Sequence, residues 1–292
     1  MSDFQKQTVQ WFPGHMAKTR RQIQASLPLV DAVTELLDAR VPLSSRNPEL
    51  NELIAGKPHI VLLNKCDMAD EAASRRWKAW FERQRTPALA VDCRSGRGLN
   101  AYGETVRELL QDKIQSNIEK GMAGRSLRVM VVGIPNTGKS SFINRMAGRS
   151  RAKVADRPGV TRQNQWFAIG GGIELLDTPG VLWPKFDDPE VGNRLAFIGS
   201  VKDEVLDVET LAVRLLAVLA AQYRDRLCER YKLDVDEAAS LAPYELLELI
   251  GRRRGMLMRG GEIDTERASA MLLDEYRAGR MGRITLEFPP EK

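Results

Sequence analysis

The sequence predicts an α/β domain, built on a mostly parallel sheet with one antiparallel strand, followed by a small all-helical domain. Three observations predict it. Short apolar and β-branched runs alternate with helical periodicity through the first two thirds of the chain. One of these runs, Val129 to Val132, leads into a glycine-containing loop and a helix start. Beyond residue 202 the pattern is helical, with no strand signal until ITLEF near the end. The expected boundaries are a first domain over 1–185, a linker over 186–202 and a helical domain over 203–292. At 292 residues, either domain is long enough to bury its own core.

Composition narrows the setting. No apolar run approaches the roughly 18 residues that a membrane span needs, and the first residues carry neither an apolar leader region nor an Arg/Ser-rich presequence. A cytoplasmic protein without a membrane role is expected. Cys66, Cys93 and Cys228 are odd in number and far apart, so neither a disulfide framework nor a zinc site is indicated. The net charge of +5 is uneven, because acidic residues outnumber basic ones from residue 200 onward. The basic excess gathers at Lys18, Arg20 and Arg21, and again at Arg145, Arg149, Arg151, Lys153, Arg157 and Arg162. Such patches attract polyanions, although a solvated face accounts for the same charges. Arg252, Arg253, Arg254 and Arg259 form a local basic cluster within the acidic C-terminal part.

Taken in order, the chain opens with aromatic residues and a Pro-Gly turn, then a basic helix from about Met16. His15 is one of only two histidines, a residue more often structural than catalytic when it stands alone. Ala32 to Leu37 reads as a buried strand, followed by the turn-rich DARVPLSSRNPEL and a helix over Glu49 to Ile54. The next strand, His59 to Leu63, delivers Asn64, Lys65 and Asp67 at its carboxyl end, where open α/β sheets bind ligands. An Asp there accepts from the N1–H and the exocyclic amine of guanine, and Asn reaches the O6/N7 edge. Adenine lacks that donor pair, so leaving the carboxylate unpaired costs about 1–3 kcal/mol and disfavours ATP.

A helix over Ala72 to Arg83 places Trp77, Trp80 and Phe81 near one face, a packing stripe. The strand Ala88 to Val91 then runs into Asp92, Cys93 and Arg94, whose backbone groups can contact a base. One helix is expected over Ala101 to Lys120, and Glu119 to Ser126 is a connector. Gly133, Gly138, Lys139 and Ser140 follow at the spacing of G-x-x-x-x-G-K-[ST]. Such a loop turns its N–H groups toward phosphate oxygens at the positive end of a helix. Its candidate binding residues are Gly133, Asn136, Thr137, Gly138, Lys139, Ser140 and Ser141; Lys139 reaches the β- and γ-phosphates and Ser140 ligates Mg²⁺.

The basic stretch Gly148 to Gln165 contains PGVTR, whose Thr161 hydroxyl is placed to join the Mg²⁺ shell. A hairpin over Trp166 to Leu176 ends in Asp177, Thr178, Pro179 and Gly180, a D-x-x-G in which Asp177 holds Mg²⁺ through water and the Gly180 N–H binds the γ-phosphate. After the linker, helices are expected over Glu209 to Tyr231, Ala242 to Arg253 and Thr265 to Ala278.

The guanine motif precedes the phosphate loop, whereas an ordinary GTPase has them in the opposite order. The cycle has been cut after D-x-x-G, which is feasible because domain termini often lie close together. WFPGHMAK, DARVPLSSRNP, NKCD, GIPNTGKSS, PGVTR and DTPGVLWP together make the chain closely resemble the YlqF/RbgA family of circularly permuted GTPases. The resemblance covers residues 10 to 190 and, more loosely, the helical C-terminus. It implies a circularly permuted Ras-like P-loop GTPase domain followed by an RNA-binding helical domain. It also implies GTP/GDP and Mg²⁺ as ligands, and GTP hydrolysis coupled to late maturation of the large (50S) ribosomal subunit and stimulated by that particle. The partners implied are rRNA and ribosomal proteins, with a monomer expected off the ribosome. Val181 stands where Ras-like enzymes have a water-orienting Gln; the family assigns that work to the histidine of PGHMAK, here His15. Asn136 matches the K⁺-ligating position of cation-activated relatives. The base-contact loop reads DCR where many GTPases have SAK. Two alternatives stand beside this reading: a GTP-dependent RNA-binding switch with incidental hydrolysis, and a metabolic or membrane-associated GTPase or ATPase.

Overall fold

The computed structural model describes residues 16–148, 165–183, 186–201 and 207–290. Helix α1 (Met16–Ser26) leads into strand β1 (Ala32–Asp38), then α2 (Pro48–Ile54), β2 (His59–Asn64), α3 (Glu71–Arg83) and β3 (Ala88–Ala90). Helices α4 (Tyr102–Leu109) and α5 (Gln111–Glu119) precede β4 (Leu127–Val132), α6 (Lys139–Ala147) and the hairpin β5 (Gln165–Ile169) with β6 (Ile173–Asp177). The six strands form one sheet in the order β3-β2-β1-β4-β6-β5, parallel except for the β5–β6 pair.

Both faces of this sheet are covered, which is why its strands read as nearly continuous apolar runs. Leu36, Ile60, Leu62, Val129, Val131 and Leu175 bury one face against Tyr102, Val106 and Phe142. On the other face Val33, Met130, Val132 and Leu176 meet Ile23 of α1 and Leu50 and Ile54 of α2. Leu37, Val61 and Leu63 meet Trp77 and Phe81, so the aromatic stripe of α3 is packing. Asn47 starts α2 by accepting the N–H groups of Glu49 and Leu50, a cap that fixes where the DARVPLSSRNP loop ends.

The chain divides into two units, between residues 184 and 185 and again between 286 and 287. The second unit is helical among its described residues: α7 (Pro189–Phe197), α8 (Val208–Gln222), α9 (Arg224–Tyr231), α10 (Val235–Ser240), α11 (Pro243–Arg253) and α12 (Thr265–Arg277). Leu211, Leu215, Leu219, Leu246, Leu247, Ile250, Leu272 and Leu273 are among its buried apolar residues. Among the described residues, no helix is long and apolar enough to cross a membrane.

The structure departs from the sequence reading at four places. The helix expected over 101–120 is two, because the backbone turns at Leu110 (φ −107, ψ 19) as that side chain enters the core. The helix expected over 209–231 breaks at Tyr223, whose hydroxyl is drawn to the backbone of Thr285. The stretch 186–202 expected as a linker holds α7, opened by Asp188 capping the Glu190 N–H. ITLEF forms no strand; residues 287–290 of that tail group with the sheet-containing unit.

Candidate nucleotide site

The chain fills the sheet from β1 outward to β3, then returns to place β4 on the far side of β1. The crevice at the carboxyl ends of β1 and β4 is therefore a topological switch point, where ligands bind in open α/β sheets. Register sets Asp38 beside Asn64 and Val131 beside Asp177, so four polar motifs open at this one edge.

Gly133 ends β4 at φ 150, where an added Cβ would lie 2.6 Å from the Leu36 carbonyl. The loop continues through Asn136 at φ 62 and Gly138 at φ 98, and a Cβ on Gly138 would collide with Asn64 Nδ2. Only glycine satisfies both the left-handed backbone and that close approach. Gly138 offers the amino end of α6 no side-chain cap, which leaves its N–H groups available to phosphate. Thr137 is fully buried and its Oγ1 donates to the Ile134 carbonyl at 3.0 Å, so its side chain braces the loop.

Lys139 is 8 % exposed and its Nζ donates to the Ile134 carbonyl at 2.7 Å. Burial pushes its pKa down to about 8, against the opposing pull of Asp177. Burial likewise raises the Asp177 carboxyl, and Lys139 works against the shift. The D-x-x-G glycine lies directly on the phosphate loop: a Cβ on Gly180 would stand 2.8 Å from Lys139 Nζ and 2.9 Å from the Pro135 nitrogen. Thr178 Oγ1 donates to the Val131 carbonyl at 2.5 Å, tying this segment to β4.

On the base side, Asn64 is a strut. Its Nδ2 donates to the Thr137 carbonyl at 2.7 Å and its Oδ1 accepts the Cys93 N–H at 3.0 Å. Besides lining the cavity where the sequence places a base, Asn64 joins the phosphate loop to the base-contact loop. Asp67 Oδ1 is buried with no hydrogen-bond partner, an acceptor vacancy that suits the N1–H and amine donors of guanine. The Lys65 ammonium pairs with Asp38 at 2.9 Å, leaving its stem to line the cavity. Asp92 Oδ1 accepts the Arg94 N–H at 2.8 Å, and burial pushes the Cys93 thiol up to about 12, so it stays neutral.

Asn64, Lys65, Asp67, Asp92, Cys93, Arg94, Asn136, Gly138, Lys139, Ser140 and Ser141 line one cavity of about 590 Å³, together with Met68. Gly133, Thr137, Asp177 and Gly180 are not part of that lining. His15 and Thr161 lie outside the described residues. Among the described residues no group of three or more His, Cys, Asp or Glu side chains could hold a metal. Mg²⁺ needs no such cluster, because it takes most of its ligands from phosphate and water. Sequence reasoning missed Met68, Asp38 and Arg40; the charged pair closing the apolar strand β1 was the available signal.

A family model described as "50S ribosome-binding GTPase" matches residues 128–239. The ribosome biogenesis GTPase A of Bacillus cereus is 45% identical over 284 residues, covering 97% of this chain and 95% of that protein. Its counterpart from Priestia megaterium is 46% identical over 286 residues, covering 97% and 98%. A solved GDP-bound YlqF superposes with a TM-score of 0.69 at 28% identity, covering 93% of this chain and all of the other.

Proposed function

The chain belongs to the ribosome biogenesis GTPase A (YlqF/RbgA) family of circularly permuted GTPases, and from that premise we propose that it acts late in maturation of the 50S subunit, which stimulates its turnover. As a member of the family it binds GTP and hydrolyses it to GDP and phosphate in ribosome biogenesis. The observation that best supports the finer reading is the match of residues 128–239 to a family model described as 50S ribosome-binding GTPase, on a chain whose strut Asn64 joins the guanine motif to the phosphate loop despite their inverted order.

The residues divide the work. Asp67 accepts from guanine, and the Cys93 and Arg94 loop closes the base side. The Lys139 ammonium exchanges the Ile134 carbonyl for β- and γ-phosphate oxygens, while loop N–H groups from Gly133 to Ser141 cradle them. Ser140, Thr161 and, through water, Asp177 would hold Mg²⁺, which when bound would neutralise charge developing on the phosphates. Gly180 donates its N–H to the γ-phosphate. Val181 is 4 % exposed within the apolar cluster of Met130 and Leu176 and has no group to orient water. We assign that task to His15, as the family resemblance implies, and K⁺ ligation to Asn136. The protein acts in the cytoplasm, as a monomer off the ribosome, with rRNA and ribosomal proteins of the large subunit as partners.

The test is GTP turnover in KCl and in NaCl, with and without purified 50S particles, on the wild type and on His15→Ala. Stimulation by 50S particles is expected, greater in KCl, with about 10²–10⁴-fold of it lost in His15→Ala, the usual range for a positioned acid–base group. No stimulation, with tight GTP-dependent RNA binding, would replace this reading by a switch in which hydrolysis is incidental.

A further inference from the structure

β1 ends in two ions taken out of water beside the nucleotide crevice. Asp38 is fully buried and Arg40 is 1 % exposed. Arg40 donates Nε to Asp38 Oδ1 at 2.9 Å, a terminal guanidinium N–H to Oδ2 at 2.8 Å, and its own backbone N–H to Oδ1 at 3.1 Å. A buried pair of this kind is weak evidence of stabilisation, because apolar side chains of similar volume can often replace it. Arg40 already neutralises Asp38. Yet a second cation closes on the same carboxylate, with Lys65 Nζ 2.9 Å from Oδ2. The extra bond is thus one that Lys65 needs more than Asp38 does.

Lys65 adopts φ 60, a left-handed conformation that a side chain other than glycine holds only when its surroundings enforce it. The turn it opens runs through Cys66, whose N–H donates to the Val91 carbonyl at 3.1 Å, to Met68, whose N–H donates to the Lys65 carbonyl at 2.9 Å. Asp67 sits inside this turn. Its Oδ1 makes no hydrogen bond to the protein, so its placement is inherited from the backbone around it.

We propose that Asp38 is a positioning residue for guanine recognition: by anchoring the Lys65 ammonium it fixes the turn that presents Asp67, and so sets how strongly the site senses the 2-amino group of the base. Burial alone would push the Asp38 carboxyl up, but Arg40 and Lys65 hold it well below the ordinary carboxylate range, so the anchor is charged at any working pH. The Asp38 N–H donates to Ser45 Oγ at 3.0 Å, which ties the anchor to the loop that follows β1.

The proposal rests on residues 64–67 being the guanine subsite. It is tested on the full chain with dissociation constants for GDP and for inosine diphosphate, which lacks the 2-amino group. The variants are Asp38→Asn, Lys65→Met and the double substitution. Asp38→Asn is expected to weaken GDP by about 10- to 100-fold, the range for losing a charge-assisted hydrogen bond, and to weaken inosine diphosphate less. In the Lys65→Met background the same change is expected to cost far less, because coupled residues are non-additive. Equal weakening of both nucleotides, or a cost undiminished by Lys65→Met, overturns the proposal. Should Asp38→Asn fail to fold, Lys65→Met alone must reduce the preference for GDP; an unchanged preference is equally fatal. A wild type that does not distinguish the two nucleotides would instead refute the guanine subsite itself.

Discussion

The Lys139 ammonium rests on the Ile134 carbonyl at 2.7 Å, mostly out of water, with the raised carboxyl of Asp177 as its counter-charge among the described residues. Its pKa of about 8 in this state has a definite sign for binding. Phosphate oxygens favour the charged form, so the group's pKa rises on binding. Below about pH 8 Lys139 is protonated in both states and contributes no pH dependence. Above it the nucleotide-free protein has lost the proton, which binding must restore, so affinity falls as pH rises, by up to about tenfold per unit. Titration calorimetry with GDP near pH 9, in buffers of different ionisation enthalpy, should find uptake approaching one proton, absent in Lys139→Ala. No uptake in the wild type would show that the loop leaves Lys139 better solvated than its contacts indicate.

At the scale of elements, the C-terminal tail behaves as part of the sheet-containing unit although it follows the helical one. The Glu287 carboxylate accepts the N–H groups of Leu43 at 2.8 Å and Ser44 at 3.0 Å, and also the Ser44 hydroxyl. Trp77 Nε1 donates to the Glu287 carbonyl at 2.9 Å, and Arg76 stands over the Phe288 ring at 5.6 Å. Pairing of this kind replaces the ladder that ITLEF suggests. Glu287→Ala would strand buried donors of the loop after β1, and a cost of about 2–4 kcal/mol is expected from the price of such orphans. Urea unfolding measures it. Glu287→Gln, which keeps one acceptor oxygen, should lose less; an Ala variant as stable as the wild type would make the tail a mere passenger.

Across the whole molecule, the permutation makes D-x-x-G the last motif of the nucleotide site, so residues 181–188 carry the chain directly into the helical unit. Loss of the γ-phosphate, proposed to meet Gly180, thus has a short covalent route to the domain proposed to meet RNA. The excess positive charge, with a sequence pI near 9.1, predicts that docking on ribosomal particles is salt-sensitive. If about six phosphates are contacted, affinity should fall about 10³-fold between about 50 and about 200 mM salt. Pelleting with 50S particles across a KCl series reads this directly, and a flat series would point to protein contacts in place of rRNA.

The sequence by itself determined the chemistry that lies in contiguous stretches: the phosphate loop, the guanine motif, D-x-x-G, and their permuted order. Each is a run of neighbouring residues whose backbone shape and side chains act together, so spacing alone reveals them. Only the tertiary structure decided what Asn64, Lys65 and Glu287 do. Asn64 meets Thr137 across 73 positions and Glu287 meets Ser44 across 243. The break at Tyr223 likewise depends on Thr285, 62 positions away. A hydrogen bond between distant residues leaves no periodicity in the chain. The bonds of Asn64 and Glu287 exist because the sheet brings the carboxyl ends of β1, β2 and β4 to one edge, that of Tyr223 forms within the helical unit, and burial drives most polar groups to find a partner.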